Sequence, residues 1–245
     1  MKIQIQNRID FLRYFISPLC KIDENVVIKT SDNKLSTIAC SSDSSVFLNC
    51  IYTACDIEPG VYSDINLPDV SKMLNAINSL SVHDLELLHE DNKLKYKSDD
   101  ISFKVHLLED GIITPPAVNI DKLKNIEFDT SFDIPYDRLQ TLIKGSTFAT
   151  DTNKVYFQTD NNRVLAELRD SDNEYINCFS SIVSESHRGN PITTAVPVTF
   201  EALRMILGIK FEVCSVHLSN KLNVFLFDIS GEGYKINYIV SGLRR

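Results

Sequence analysis

The chain has 245 residues, 43% of them hydrophobic, and 33 acidic against 25 basic side chains give it a net charge of −8. That composition fits one large or two ordinary globular domains and excludes a disordered or fibrous chain. It also excludes a protein that coats nucleic acid with its whole surface, while leaving room for one localised basic face.

The N-terminal stretch MKIQIQNRIDFL lacks an apolar h-region and a small-residue cleavage site, so it does not read as a signal peptide. No window reaches the ~18–20 apolar residues of a membrane span, and the expectation is an intracellular protein. Residues 7–21 have a helical period, with Ile9, Leu12, Phe15, Ile16 and Leu19 apolar and Asp10, Arg13, Ser17 and Lys21 opposite. Pro18 predicts a stop or kink near Ser17. Strand-like runs follow at 26–29, 35–40, 46–52 and 61–66. A second helix is expected over 68–80, with Val70, Met73, Leu74 and Ile77 on its apolar side and Lys72 across from them. Three more strands read at 84–89, 93–97 and 101–107.

The segment LLEDGIITPPAVNIDKLKNI at 107–126 is too long for a hairpin turn and holds Pro115-Pro116, so it reads as a connector. Beyond it the order recurs. A strand is expected at 126–132 and a helix at 135–147, where Pro135 fits the first helical position and Tyr136, Leu139, Leu142 and Ile143 are apolar. Strands at 154–159, 164–168, 175–180 and 192–198 lead to a fourth helix over 199–209, with Thr199 as its N-cap. Strands at 212–218, 223–228 and 234–240 complete the chain. Tight-turn sequences (SDN, EDN, SDD, TDNN, SNK, SGEG) separate the strands, which predicts antiparallel sheets and an α+β class. Both helix pairs repeat at an offset of about 130 residues, a repeat of pattern and not of letters.

The helices of this acidic chain gather basic and neutral polar residues. Arg8 opens the first helix, which carries Arg13 and Lys21. Lys72, Asn75 and Ser79 lie on the second, Arg138, Thr141 and Lys144 on the third, and Arg204 and Lys210 flank the fourth. Lys and Arg are common on any solvated helix. Their recurrence on four helices points instead to sparse, sequence-independent attraction to phosphates.

The six cysteines form no C-x-x-C pair and lie mostly in apolar runs, so they read as reduced core thiols and not as a zinc site. His83 and His89 share a strand face without a third ligand. There is no Walker A loop, no G-x-G-x-x-G and no H-E-x-x-H, and the serine-rich loops CSSDSS and SESHRGN have no base to name. No catalytic residues, metal or cofactor are assigned, and an enzyme is not expected.

The stretches INLPDVSKML at 65–74, PYDRLQTLIKG at 135–145 and VTFEALRMILGIKFEVCSVHLSNKLNVFLFDISGEGYKINYIV at 198–240 resemble the DNA sliding clamps. The similarity is to the two-domain type represented by proliferating cell nuclear antigen and the T4-like phage clamps. It rests on order, spacing and Lys/Arg placement over nearly the full chain. The resemblance implies two clamp domains, 1–108 and 126–245, joined by a connector at 109–125. It implies a homotrimeric ring around duplex DNA that tethers DNA polymerase and is opened by an ATP-driven loader. By position, Lys72, Arg138 and Lys210 match DNA-facing residues of the family, with Arg8, Arg13, Lys21, Lys144 and Arg204 as further candidates. A partner-peptide pocket is implied at Cys40, Val46, Ile112, Ile113, Tyr238 and Val240. The C-terminal GLRR departs from the family's acidic tail or short stop. A phage or viral source is expected, acting in a host cytoplasm, or in a nucleus if eukaryotic. The rival readings are a non-ring processivity factor, which calls for a more basic chain, and a β-rich adaptor without a DNA role.

Overall fold

A computed structural model of the protein describes residues 1–117, 126–170 and 175–243. The chain divides into two compact units: 1–117 with 230–236, and 118–229 with 237–245.

Unit 1 opens with β1 (Lys2–Ile5), and Asn7 then caps α1 by accepting from the backbone N–H groups of Ile9 and Asp10. Helix α1 starts as an α-helix at Arg8–Phe11, loosens into a π turn at Leu12–Ile16 and closes as Ser17–Leu19. Pro18 explains the π turn. It has no N–H to offer the Tyr14 carbonyl, and its ring would collide with that carbonyl in a regular helix. The chain widens by one residue instead of stopping, and Ser17 N–H reaches back to the Leu12 carbonyl. The buried Cys50 thiol donates to the Tyr14 carbonyl at 3.3 Å. The stop or kink expected near Ser17 takes the form of a π turn followed by three more helical residues. The apolar arc also differs: Phe11 is buried against Phe15 and Tyr52 at ring distances of 5.4 and 5.3 Å, while Ile9 is 49% exposed.

The next strands are β2 (Val26–Ser31), β3 (Lys34–Cys40), β4 (Val46–Tyr52), β5 (Cys55–Ile57) and β6 (Ile65–Leu67). Helix α2 (Val70–Asn78) then leads to β7 (Leu85–Glu90), β8 (Lys93–Lys97) and β9 (Ser102–His106). One sheet has the order β5-β1-β7-β8-β9, and a second run has the order β4-β3-β2-β6, with neighbours antiparallel. Strand β3 shows why: LSTIAC buries alternate residues, as a half-covered strand must.

Unit 2 repeats this order. It runs β10 (Thr130–Pro135), α3 (Tyr136–Gly145), β11 (Lys154–Asp160), β12 (Arg163–Leu168), β13 (Phe179–Ser184), β14 (His187–Gly189) and β15 (Val196–Thr199). Helix α4 (Phe200–Ile206), β16 (Val213–Ser219), β17 (Val224–Gly231) and β18 (Tyr234–Ser241) finish it, except that residues 230–236, around the β17–β18 turn, group with unit 1. Its strand orders, β14-β10-β16-β17-β18 and β13-β12-β11-β15, are those of unit 1 position for position. Phe132, Phe157, Phe225 and Phe227 form its aromatic core, with successive ring centroids 6.1, 5.3 and 5.9 Å apart.

Several strand boundaries differ from the sequence reading. Gly60 has φ +78° and Val61 and Tyr62 are exposed, so the run expected at 61–66 pairs only from Ile65. The runs expected at 126–132, 175–180 and 192–198 pair later, from Thr130, Phe179 and Val196. No span was assigned to β1, β5 or β14; the last two have three residues each, too short to show an alternation. The residues of the expected connector from 118 to 125 lie outside the described ones. All six cysteines are free thiols, and only Cys178 is exposed. Among the described residues no group of acids, histidines and cysteines could hold a metal, and no helix is long and apolar enough to cross a membrane.

Candidate nucleic-acid interface

Each helix follows a short strand and buries one stripe. Phe11, Leu12, Phe15, Ile16 and Leu19 face the core from α1, and Val70, Met73 and Ile77 from α2. Leu139 and Leu142 do so from α3, and Phe200, Ala202, Leu203 and Ile206 from α4. Burying each of the larger of these side chains contributes about 1.5–3 kcal/mol, so the rotation of each helix is set by its apolar side. What remains for solvent is the polar side.

In unit 1, α1 and α2 are tied together. Arg8 donates from Nε to the Val82 carbonyl at 2.8 Å and from a terminal nitrogen to the Ile77 carbonyl at 3.3 Å. Its backbone N–H bonds the His83 carbonyl, and Val70 N–H bonds the Glu24 carbonyl. Arg8 is thus half-buried and fastens the start of α1 to the end of α2, whereas Arg13 and Lys21 are exposed. Arg13 lies 5.7 Å from the Tyr14 ring centre.

Helix α2 exposes Ser71, Lys72, Asn75, Asn78 and Ser79, so Lys72 is its one exposed charge. Asp69 caps the helix from a left-handed backbone (φ +54°) that Asp tolerates better than most residues. Its carboxylate accepts from Lys72 N–H and pairs with the Lys72 ammonium at 2.7 Å. The hydrogen bonds from Lys72 hold the Asp69 carboxyl below its usual range, and Asp69 raises Lys72 in turn.

In unit 2, Arg138 pairs with Glu185 at 3.0 Å, and Arg204 lies 3.7 Å from Glu201 and 4.6 Å over the Phe200 ring. Lys144 and Lys210 are exposed and form no ion pair among the described residues. Lys144 and Arg204 also sit in the last turns of their helices, where a cation complements the helix dipole. Such pairs are exposed and weak, so a phosphate can displace a carboxylate at little cost. The carboxylates Asp69, Glu185 and Glu201 were not read from the sequence as part of this surface. Two of them follow an i,i+3 spacing that could have revealed them; Glu185 comes from another element.

The residues assigned to a peptide pocket separate into two kinds. Val46, Tyr238 and Val240 are fully buried in their strands. Cys40 and Ile113 are half-buried, and Ile112 is 63% exposed. The chain before Ile112 is anchored by Leu108 N–H on the Asn66 carbonyl at 2.9 Å and by Asn66 Nδ2 on Asp110 at 2.7 Å.

No protein-family model matches the chain, and no curated protein matches it in sequence. Solved structures do match in shape. The fold is that of the DNA sliding clamps. The proliferating cellular nuclear antigen of Entamoeba histolytica is similar at a TM-score of 0.80 and 10% identity, over 99% of this chain and 98% of that one. The A. fulgidus antigen bound to the C-terminal region of FEN-1 is similar at 0.78 and 13% identity, over 100% and 98%. The DNA polymerase sliding clamp of Bacillus subtilis is similar at 0.78 and 14% identity, over 100% of this chain and 64% of that one.

Proposed function

We propose that this protein is a DNA sliding clamp, a non-enzymatic ring that encircles duplex DNA and tethers DNA polymerase and other replication proteins as a processivity factor. The observation that carries this reading is the doubled topology, which matches solved clamps over 99–100% of the chain. In the proposal, three chains close the ring, and 1–108 and 126–245 are the clamp domains joined by 109–125. Strands β9 and β13, each last in the order of its sheet, offer the edges that pair between chains. Arg13, Lys21, Lys72, Arg138, Lys144, Arg204 and Lys210 face phosphates without reading bases, so the ring slides. Arg8 supports that surface from beneath. Ile112, Ile113 and Cys40 take the apolar side chains of partner peptides. An ATP-driven loader opens the ring, and a phage or virus working inside its host is the proposed source.

Light scattering over a dilution series tests the reading. Three chains of 27.8 kDa per particle, and retention on circular but not on linear DNA, are expected. A monomer at every concentration overturns the ring and favours an open processivity factor.

A further inference from the structure

The strands β8 and β9 carry Lys93, Lys95, Lys97, Lys104 and His106, and their register sets Lys93 opposite His106 and Lys95 opposite Lys104. Leu94 and Tyr96 alternate with them and are buried, so the five basic groups share the solvent side of the sheet. Residues two apart on a strand are ~6.8 Å apart and neighbouring strands ~4.8 Å, so the lysines cover a compact patch.

Like charges directly opposite weaken a ladder, and lysine is not a favoured strand residue. Edge protection by lysine concerns only an end strand such as β9, which carries Lys104. It does not explain the three lysines of β8, a strand interior to the sheet. Glu90 bonds Lys95 at 2.9 Å, while Lys93, Lys97 and Lys104 have no ion pair among the described residues. Glu90, set opposite Lys93 and bonded to Lys95, offsets part of this charge, and Lys97 and Lys104 are left without an ion pair among the described residues in a chain of net charge −8.

Acids bound the patch. Glu86 and Glu90 lie on β7, Asp91 in the turn before β8, and Asp99 and Asp100 in the turn after it, all exposed. Leu88, 41% exposed, sits opposite Lys95 on the same face.

We propose that this face docks a short acidic peptide segment of a partner protein, its carboxylates on the lysines and one apolar side chain on Leu88. The size and borders of the patch favour a peptide over nucleic acid. A duplex carries a charge every ~1.7 Å and runs on past the lysines onto the bounding acids. A single strand needs exposed rings to stack on; Tyr96 is buried, and Phe103 stacks on it at 5.4 Å on the other side of the sheet. The argument for the site does not use the clamp reading, in which β9 borders the neighbouring chain.

The test is fluorescence anisotropy with a labelled synthetic peptide of alternating Glu and Ser around a central Leu. A Gln-for-Glu peptide, a labelled duplex and oligo-dT are run beside it. The acidic peptide is expected to bind at low salt, to be lost in molar salt and to bind about tenfold more weakly to Lys95→Glu/Lys104→Glu. Lys93→Ser/Lys97→Ser, which adds no charge, is expected to weaken it in the same direction. Lys104→Glu alone is expected to raise the melting temperature, since it turns a like-charge pair into an opposite one. Absence of binding, unchanged binding in both double variants, or a duplex that competes for the patch overturns the proposal. Light scattering on each variant separates loss of this site from loss of assembly.

Discussion

Cys50→Ala and Cys50→Ser test the account of the π turn. The Cys50 thiol is fully buried, its pKa is pushed up by that burial, and it donates to the Tyr14 carbonyl at 3.3 Å. That carbonyl is the one Pro18 cannot serve. Cys50→Ala removes the buried sulfur, at about 1 kcal/mol, and leaves the carbonyl without its donor, at about 1–2 kcal/mol. Cys50→Ser keeps a donor in nearly the same place and loses only fit, about 1 kcal/mol. The expected order in urea unfolding is wild type, then Ser, then Ala, with Ala about 2–3 kcal/mol below wild type. For a chain of this size that is a drop of about 4–12 °C in melting temperature. If serine is as damaging as alanine, the thiol is packing and not bonding, and the explanation of how α1 passes Pro18 fails.

Two other variants test the proposed surfaces. Lys72→Glu with Arg138→Glu is expected to lower processive synthesis and retention on circular DNA, with the particle mass unchanged; undiminished processivity in an intact ring removes these residues from the DNA-facing set. Ile112→Asp with Ile113→Asp is expected to weaken binding of polymerase-derived peptides, read by calorimetry, and normal affinity moves the pocket elsewhere.

The helices and long strands were legible because their periods are local. In α2, Val70, Met73 and Ile77 fall on one stripe, and the structure buries all three. In α1 the same logic chose Ile9 over Phe11, because a π turn shifts the phase by one residue and no count at 3.6 per turn foresees it. Strands β5 and β14 were invisible because three residues hold no alternation. The exposed cations could be read, but not what they touch. Arg138 meets Glu185 and Arg8 meets the Val82 carbonyl only through the fold. Likewise the sequence KLKYK displays its alternation, while the pairing of Lys95 with Lys104 exists only in the register. Val46, Tyr238 and Val240 illustrate the limit from the other side. An apolar residue in a strand looks the same in the sequence whether it lines a pocket or fills a core, and the burial of these three shows only in the fold.

The exposure of Cys178 alone among six thiols gives the molecule a natural attachment point. It lies immediately before β13, while Cys50, Cys55 and Cys214 are sealed inside and Cys20 and Cys40 half so. Reagent access, more than acidity, then decides which sulfur reacts, so a brief maleimide treatment deposits one dye per chain without mutagenesis. Counting bleaching steps on single particles then reads the number of chains directly, and energy transfer between dyes reports whether neighbouring chains stay together.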